Sequence, residues 1–289
     1  MHVIAAALLV GLLAPLTLAA PTAEMILTPA GYRPATTVYE IPAGATLAHV
    51  GSEIHLISFN GTVLKTVTAS ITPTPVKEAV SALQRGWVTY ATWLNTDSSP
   101  ISSFTTTWTV PPVPATDNGQ IIFLFNSIVP DNRKAILQPV LQYGHSAAGG
   151  GSFWAVTTWY NTPSTRFFTT PIRVSPGAIL NGIITLTSSS SSPSFNYNSQ
   201  FTNIPGTSLN ITGVAQLTGA TETLEVYGVT AKSDYPSGST VFTDINLKLA
   251  NGNTPSVSWA HRDDIADGLD TTIDIDGATN ARIAINYNA

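Results

Sequence analysis

Phe104-Thr105-Thr106-Thr107-Trp108-Thr109-Val110-Pro111-Pro112 is the stretch of this chain that decides its fold. Alternation with a period of two puts Phe104, Trp108 and Val110 on one face and Thr105, Thr107 and Thr109 on the other, and the two prolines end the ladder because they have no N–H to donate. A strand with one aromatic face and one hydroxyl face needs a second layer over the aromatic side. The same grammar runs on in both directions from residue 86 to the C-terminus. Short β-type runs at 121–125, 136–143, 153–160, 171–174, 179–187, 196–201, 208–212, 221–229, 240–249, 256–259, 271–275 and 281–287 are punctuated by Gly, Pro and Asn. The expected fold is all-β, an antiparallel two-sheet β-sandwich over residues 86–289 with a small N-terminal appended segment. The unbroken apolar run at 121–125 predicts a strand covered on both faces.

Residues 1–19 read as a secretory signal peptide, with an apolar stretch at 3–13 and small residues at Thr17-Leu18-Ala19; Pro15 and the short length argue against a membrane span. Residues 20–85 have their own character. Asn60-Gly61 sits between two alternating runs, the strongest short hairpin signal, and Thr72-Pro73-Thr74-Pro75 follows as a linker before a short helical candidate at 76–83. This segment is expected to be separable and propeptide-like. Asn60 and Asn210 open Asn-X-Thr sequons, glycosylation sites on a secretory route.

Composition excludes several classes. Only 10% of the residues are charged and the net charge is −5, which offers no basic stripe for nucleic acid. With no cysteine there is no thiolate nucleophile, no disulfide and no thiolate metal site. His145 and His261, the histidines after residue 85, have no activated-serine motif beside them. The aspartates Asp263, Asp264, Asp267, Asp270, Asp274 and Asp276 lack EF-hand spacing, so neither a metal nor a cofactor is expected. The expected protein is extracellular and monomeric, free of the membrane once its signal is removed.

Chemistry then falls to polar side chains set in apolar strands. Gln138 shares a face with Ile136, Val140 and Gln142, while Leu137, Leu141 and Tyr143 point the other way. Glu225 shares a face with Thr223 and Tyr227, and Glu222 points oppositely with Leu224 and Val226, so the two glutamates do not form an acid/base pair of the glycosidase kind. A carboxylate beside aromatic rings can have its pKa moved and serve as general base. The glycines of Gly144-His145-Ser146-Ala147-Ala148-Gly149-Gly150-Gly151 permit a flap over a groove.

In Thr107-Trp108-Thr109-Val110-Pro111, Ala135-Ile136-Leu137-Gln138, Trp159-Tyr160 and Thr223-Leu224-Glu225, taken in order and spacing, the chain resembles the eqolisins, the fungal glutamic peptidases, over residues 86–289. The resemblance implies a concanavalin A-like sandwich with Gln138 and Glu225 as the catalytic pair, on neighbouring strands of one concave sheet. It further implies an acid endopeptidase acting on extracellular protein or peptide, in which the glutamate activates water and the glutamine stabilises the tetrahedral intermediate. Trp154, Trp159, Tyr160 and Tyr227 are the expected substrate-binding aromatics. The same rings would equally serve a non-catalytic sandwich that binds glycans or cell-wall polymers, since the scaffold alone does not choose between the two.

Overall fold

Strands that alternate Thr and Ser with Val, Ile, Phe and Trp pair edge to edge and hide their apolar faces against each other. A computed structural model of the chain describes residues 23–69, 86–189 and 194–287. The expected signal peptide and the helix at 76–83 lie outside the described residues. No helix among the described residues is long and apolar enough to cross a membrane.

One sheet runs in the order β19 (Ala260–Arg262), β7 (Trp87–Leu94), β17 (Gly219–Tyr227), β9 (Ile121–Val129), β10 (Ile136–Ser146), β11 (Gly149–Asn161), β12 (Arg166–Thr169), β3 (Val38–Ile41), with β13 (Ile172–Arg173) also paired to β11. The other runs β20 (Leu269–Ile275), β21 (Ala281–Tyr287), β18 (Ser239–Leu249), β8 (Ile101–Thr109), β14 (Ile179–Ser189), β15 (Phe195–Phe201), β16 (Leu209–Val214), β4 (Thr46–Val50), β5 (Glu53–Ile57), β6 (Val63–Thr68). A separate hairpin, β1 (Met25–Thr28) and β2 (Gly31–Pro34), completes the set. The architecture is the expected β-sandwich. Strand β7 is an addition to the sequence reading, and the strand expected at 256–259 forms a few residues later, as β19.

Phe104, Trp108 and Val110 face inward, as their alternation requires, and meet Leu124, Leu137, Leu141 and Val156 of the facing sheet in the main core. A second apolar cluster covers the outer face of the first sheet, where Phe123, Phe125, Val140, Trp159, Phe168 and Tyr227 pack with Leu27 of β1. This double cover explains the unbroken run at 121–125: Ile122 and Leu124 fill the main core while Ile121, Phe123 and Phe125 lie in the outer cluster with the hairpin.

Residues 23–69 depart from the antiparallel expectation. Strand β3 pairs parallel to β12 and β4 pairs parallel to β16, so the N-terminal segment adds strands at one edge of each sheet. Parallel pairing is available here because the partners are remote in sequence and no tight turn dictates their direction. The Asn60-Gly61 hairpin forms as read, joining β5 to β6. Leu47 and Ile54 of this segment are buried in the main core.

His49 on β4 meets the hydroxyl of Tyr160 on β11 at 3.0 Å, and burial lowers its pKa from 6.5 to about 4. A folded-state pKa below the unfolded one gives stability that is complete above pH 6.5 and is lost as pH falls toward and through 4. Acidification over that window is expected to lower amide protection factors in β4 before those in the central strands, and His49→Gln to flatten that pH dependence. Exchange in β4 with the same pH profile in both proteins would exclude His49 as the cause.

Candidate active site

Strand parity places the functional side chains. Gln138 on β10 and Glu225 on β17 face outward from the first sheet, the side away from the main core, and both line one cavity of about 350 Å³. Trp87, Tyr90 and Trp93 of β7 form one wall, with Ile136, Asn161 and Thr221 among the other lining residues. Strand β9 lies between β10 and β17, so the pair is not on adjacent strands as expected. Pro139 follows Gln138 directly, and the pairing of β10 with β9 passes from Leu137↔Ile128 to Val140↔Phe125 with no pair between them, as suits a residue without an N–H. The Gln138 side chain is fully buried and neither its oxygen nor its nitrogen has a hydrogen-bond partner. A buried amide in that state is costly unless something in the cavity meets it.

Glu225 is buried as well, and its two oxygens differ. Oε1 accepts the backbone N–H of Ala30 at 2.6 Å and the hydroxyl of Tyr227, whereas Oε2 has no partner. Burial raises the pKa of Glu225 to about 7, against the opposing pull of Tyr227, Ala30, the Trp87 side chain and the charge of Arg166. Arg166 is itself buried, held by the carbonyls of Thr162 and Thr165, and burial lowers its pKa to about 9. A carboxyl poised near neutrality beside a cavity can both take and return a proton.

The β1–β2 hairpin lies across this face. Ala30 is at its turn, Asn161 Nδ2 donates to the carbonyl of Pro29 at 3.0 Å, and Ala147 in the β10–β11 turn donates its N–H to the carbonyl of Leu27 at 2.7 Å. The Gly144–Gly151 stretch is therefore the tip of a β-hairpin resting on the N-terminal one. Gln142, on the same face as Gln138, is occupied in shaping that tip: its Nε2 donates to the carbonyls of Gly144 and Gly149.

The expected binding aromatics divide by parity. Trp154 and Tyr160 point into the main core, a correction forced by period two: Tyr160 follows Trp159 directly, so the two cannot share a face, and Trp154 has the parity of Tyr160. Trp159 and Tyr227 do face outward, within the apolar cluster under the hairpin. Asn60 sits at an exposed turn, and Asn210 lies on β16 with its side-chain oxygen accepting from Asn198 at 2.8 Å. Several of the C-terminal aspartates tie backbone, Asp263 accepting from Thr271 N–H at 2.8 Å and Asp276 from Trp259 N–H at 2.9 Å. Sequence reading missed Asn161, Arg166, Trp87 and Ala30. Asn161 was within reach, since it has the parity of Trp159 at the end of the same strand.

No family model matches the sequence, and no curated protein matches it. Among solved structures, the chain is similar to SCP-B, a member of the eqolisin family of peptidases in complex with the tripeptide Ala-Ile-His, at 14% identity over 71% of this chain and 100% of that one, with a TM-score of 0.45. It is also similar to scytalido-glutamic peptidase with a peptide-based transition state analogue, at 15% identity over 71% of this chain and 100% of that one, with a TM-score of 0.47.

Proposed function

We propose that the chain is a secreted peptidase that hydrolyses peptide bonds of extracellular proteins on the outer face of its first sheet, with Glu225 as the proton-transfer group. The observation that carries this reading is the contact of Glu225 Oε1 with a backbone N–H at 2.6 Å: a stretch of polypeptide already lies on this face, against a carboxyl whose pKa is about 7. In the reaction, ionised Glu225 takes a proton from a water as the water oxygen adds to the substrate carbonyl carbon. The Gln138 amide donates to the oxyanion, and protonated Glu225 then returns the proton to the nitrogen as the C–N bond breaks. One carboxyl serving twice suits a site without a histidine base.

The β1–β2 hairpin occupies the place of substrate, so the described form is latent, and activity requires that residues 23–34 move aside. The glycan-binding alternative needs rings open to a sugar face. Trp154, Trp159 and Tyr160 are all buried, and the partly exposed rings of the cavity wall, Trp87, Tyr90 and Trp93, stand beside the Glu225 carboxyl and the unpartnered Gln138 amide, a pairing that the peptidase reading uses and sugar stacking does not. The test is the full chain, untreated and after limited proteolysis that cuts between the β1–β2 hairpin and β3, assayed against denatured protein from acid to neutral pH. Gln138→Ala is expected to slow cleavage by about 10²–10³ through loss of the oxyanion donor. A wild-type chain that cleaves nothing across that range in either form removes the peptidase reading.

A further inference from the structure

The two polar groups that the sandwich holds on the β1–β2 turn belong to a single peptide bond. Asn161 Nδ2 donates to the carbonyl oxygen of Pro29 at 3.0 Å, and Glu225 Oε1 accepts the N–H of Ala30 at 2.6 Å. Thr28-Pro29-Ala30-Gly31 forms the turn, and the φ of +76° at Ala30 after a proline is the pattern of a type II turn. The central peptide unit takes no part in the ladder between the strands; within the turn the Thr28 hydroxyl reaches the Pro29 carbonyl at 3.1 Å but sits closer to that of Gly31, at 2.7 Å, so the N–H is open to an outside partner and the carbonyl oxygen keeps a lone pair for one. In a trans unit the C=O and N–H point in opposite directions, so Asn161 and Glu225 grip the bond from opposite sides.

Their convergence is a product of sheet shape. Counted along the pairings Asn161↔Ile136, Leu137↔Ile128 and Gly219↔Val129, Asn161 and Glu225 are three strands and six residues apart. A flat sheet would separate their Cα atoms by on the order of 25 Å. Twist folds that diagonal until the two side chains are one peptide unit and two hydrogen bonds apart. Asn161 is buried, its Oδ1 has no partner, and it lines the same cavity as the unpartnered amide of Gln138.

We propose that Asn161 is a catalytic residue that binds the carbonyl oxygen of the bond to be hydrolysed while Glu225 binds its N–H, which makes the substrate a secondary amide and disfavours a bond whose nitrogen belongs to proline. The proposal rests on the peptidase reading of this groove. A water held by the free Oε2 of Glu225 loses a proton to that carboxylate as its oxygen bonds to the carbonyl carbon. The negative charge settles on the oxygen held by Asn161, with Gln138 as a second amide nearby. Protonated Glu225, already beside the nitrogen, supplies the proton with which the amine leaves.

Two variants of the full chain test this, Asn161→Leu and the isosteric Asn161→Asp, each checked for native near-UV circular dichroism. Amide hydrogen exchange at Ala30 is expected to quicken about tenfold or more in both, the equivalent of losing one net hydrogen bond. Cleavage of denatured protein is expected to fall by about 10²–10³ in kcat with little change in KM. Wild type is expected to spare bonds preceding proline in peptides where it cleaves the alanine counterpart. Unchanged exchange at Ala30 in both variants overturns the clamp. An active wild type with equally active variants overturns the role of Asn161 while leaving the peptidase reading intact. A chain that hydrolyses nothing even after the hairpin is cut away by limited proteolysis, yet shows faster exchange in the variants, overturns that reading and the catalytic role with it.

Discussion

Glu225→Gln is expected to abolish hydrolysis, with a loss of at least about 10³ in kcat, while the protein still folds. Glutamine keeps an oxygen for the N–H of Ala30 and for the Tyr227 hydroxyl, so the hairpin contact at 2.6 Å has an acceptor in the variant. What it lacks is a group that can gain and lose a proton. The same substitution removes a pH effect of known sign. The folded pKa of Glu225 lies at about 7, above the ordinary 4.5, so its contribution to stability is complete below 4.5 and is lost as pH rises through 7. The variant should show neither that decline nor the rise of activity that accompanies ionisation of the base. Cleavage assays and thermal melts of both proteins across this range check the two halves, and a folded variant that cleaves as fast as wild type would falsify the mechanism.

Glu222→Gln is expected to act on the fold instead, and strongly. Glu222 points into the main core, fully buried; Oε1 accepts the Thr106 hydroxyl at 2.5 Å and Oε2 has no partner. Its cross-strand neighbour Asn126 is buried with both amide atoms unpartnered, packed so close to Gly182 that a Cβ there would fall 2.6 Å from its side-chain oxygen. Burial holds the Glu222 pKa well above 4.5 despite the Thr106 bond. A raised pKa of this kind supports the fold in acid and costs stability as pH climbs above the unfolded value. The neutral amide should therefore melt close to wild type in acid and higher at mildly alkaline pH. An uncompensated buried charge costs on the order of 2 kcal/mol or more, about 5 °C in a domain this size. Equal melting temperatures at alkaline pH would show that Glu222 has water or a cation against it.

Much of this was legible in the sequence because strand parity is a strict rule. The opposed faces of Glu222 and Glu225, the shared face of Gln138 with Val140 and Gln142, and the inward turn of Phe104 and Trp108 all follow from counting by two. The error with Trp154 and Tyr160 came from reading aromatic supply instead of parity. The union of Asn161 with Glu225 could not be counted at all. It depends on the twist of three strands and on a turn more than a hundred residues away in sequence, and neither leaves a periodic trace. Strand β7 was missed because Trp87, Tyr90 and Trp93 do not alternate strictly: its pairing with β17 skips Val88, which shifts the parity of Trp87 relative to the rest of the strand.

The parallel strands β3 and β4 cover the edges of β12 and β16. Departure of the whole N-terminal segment would leave each of those strands with a bare row of N–H and C=O groups, the template on which chains aggregate. On the proposed reading, latency and colloidal safety are joined in one segment. A chain that sheds only its β1–β2 hairpin keeps both edges guarded, whereas one that loses residues 23–69 entirely becomes self-adhesive.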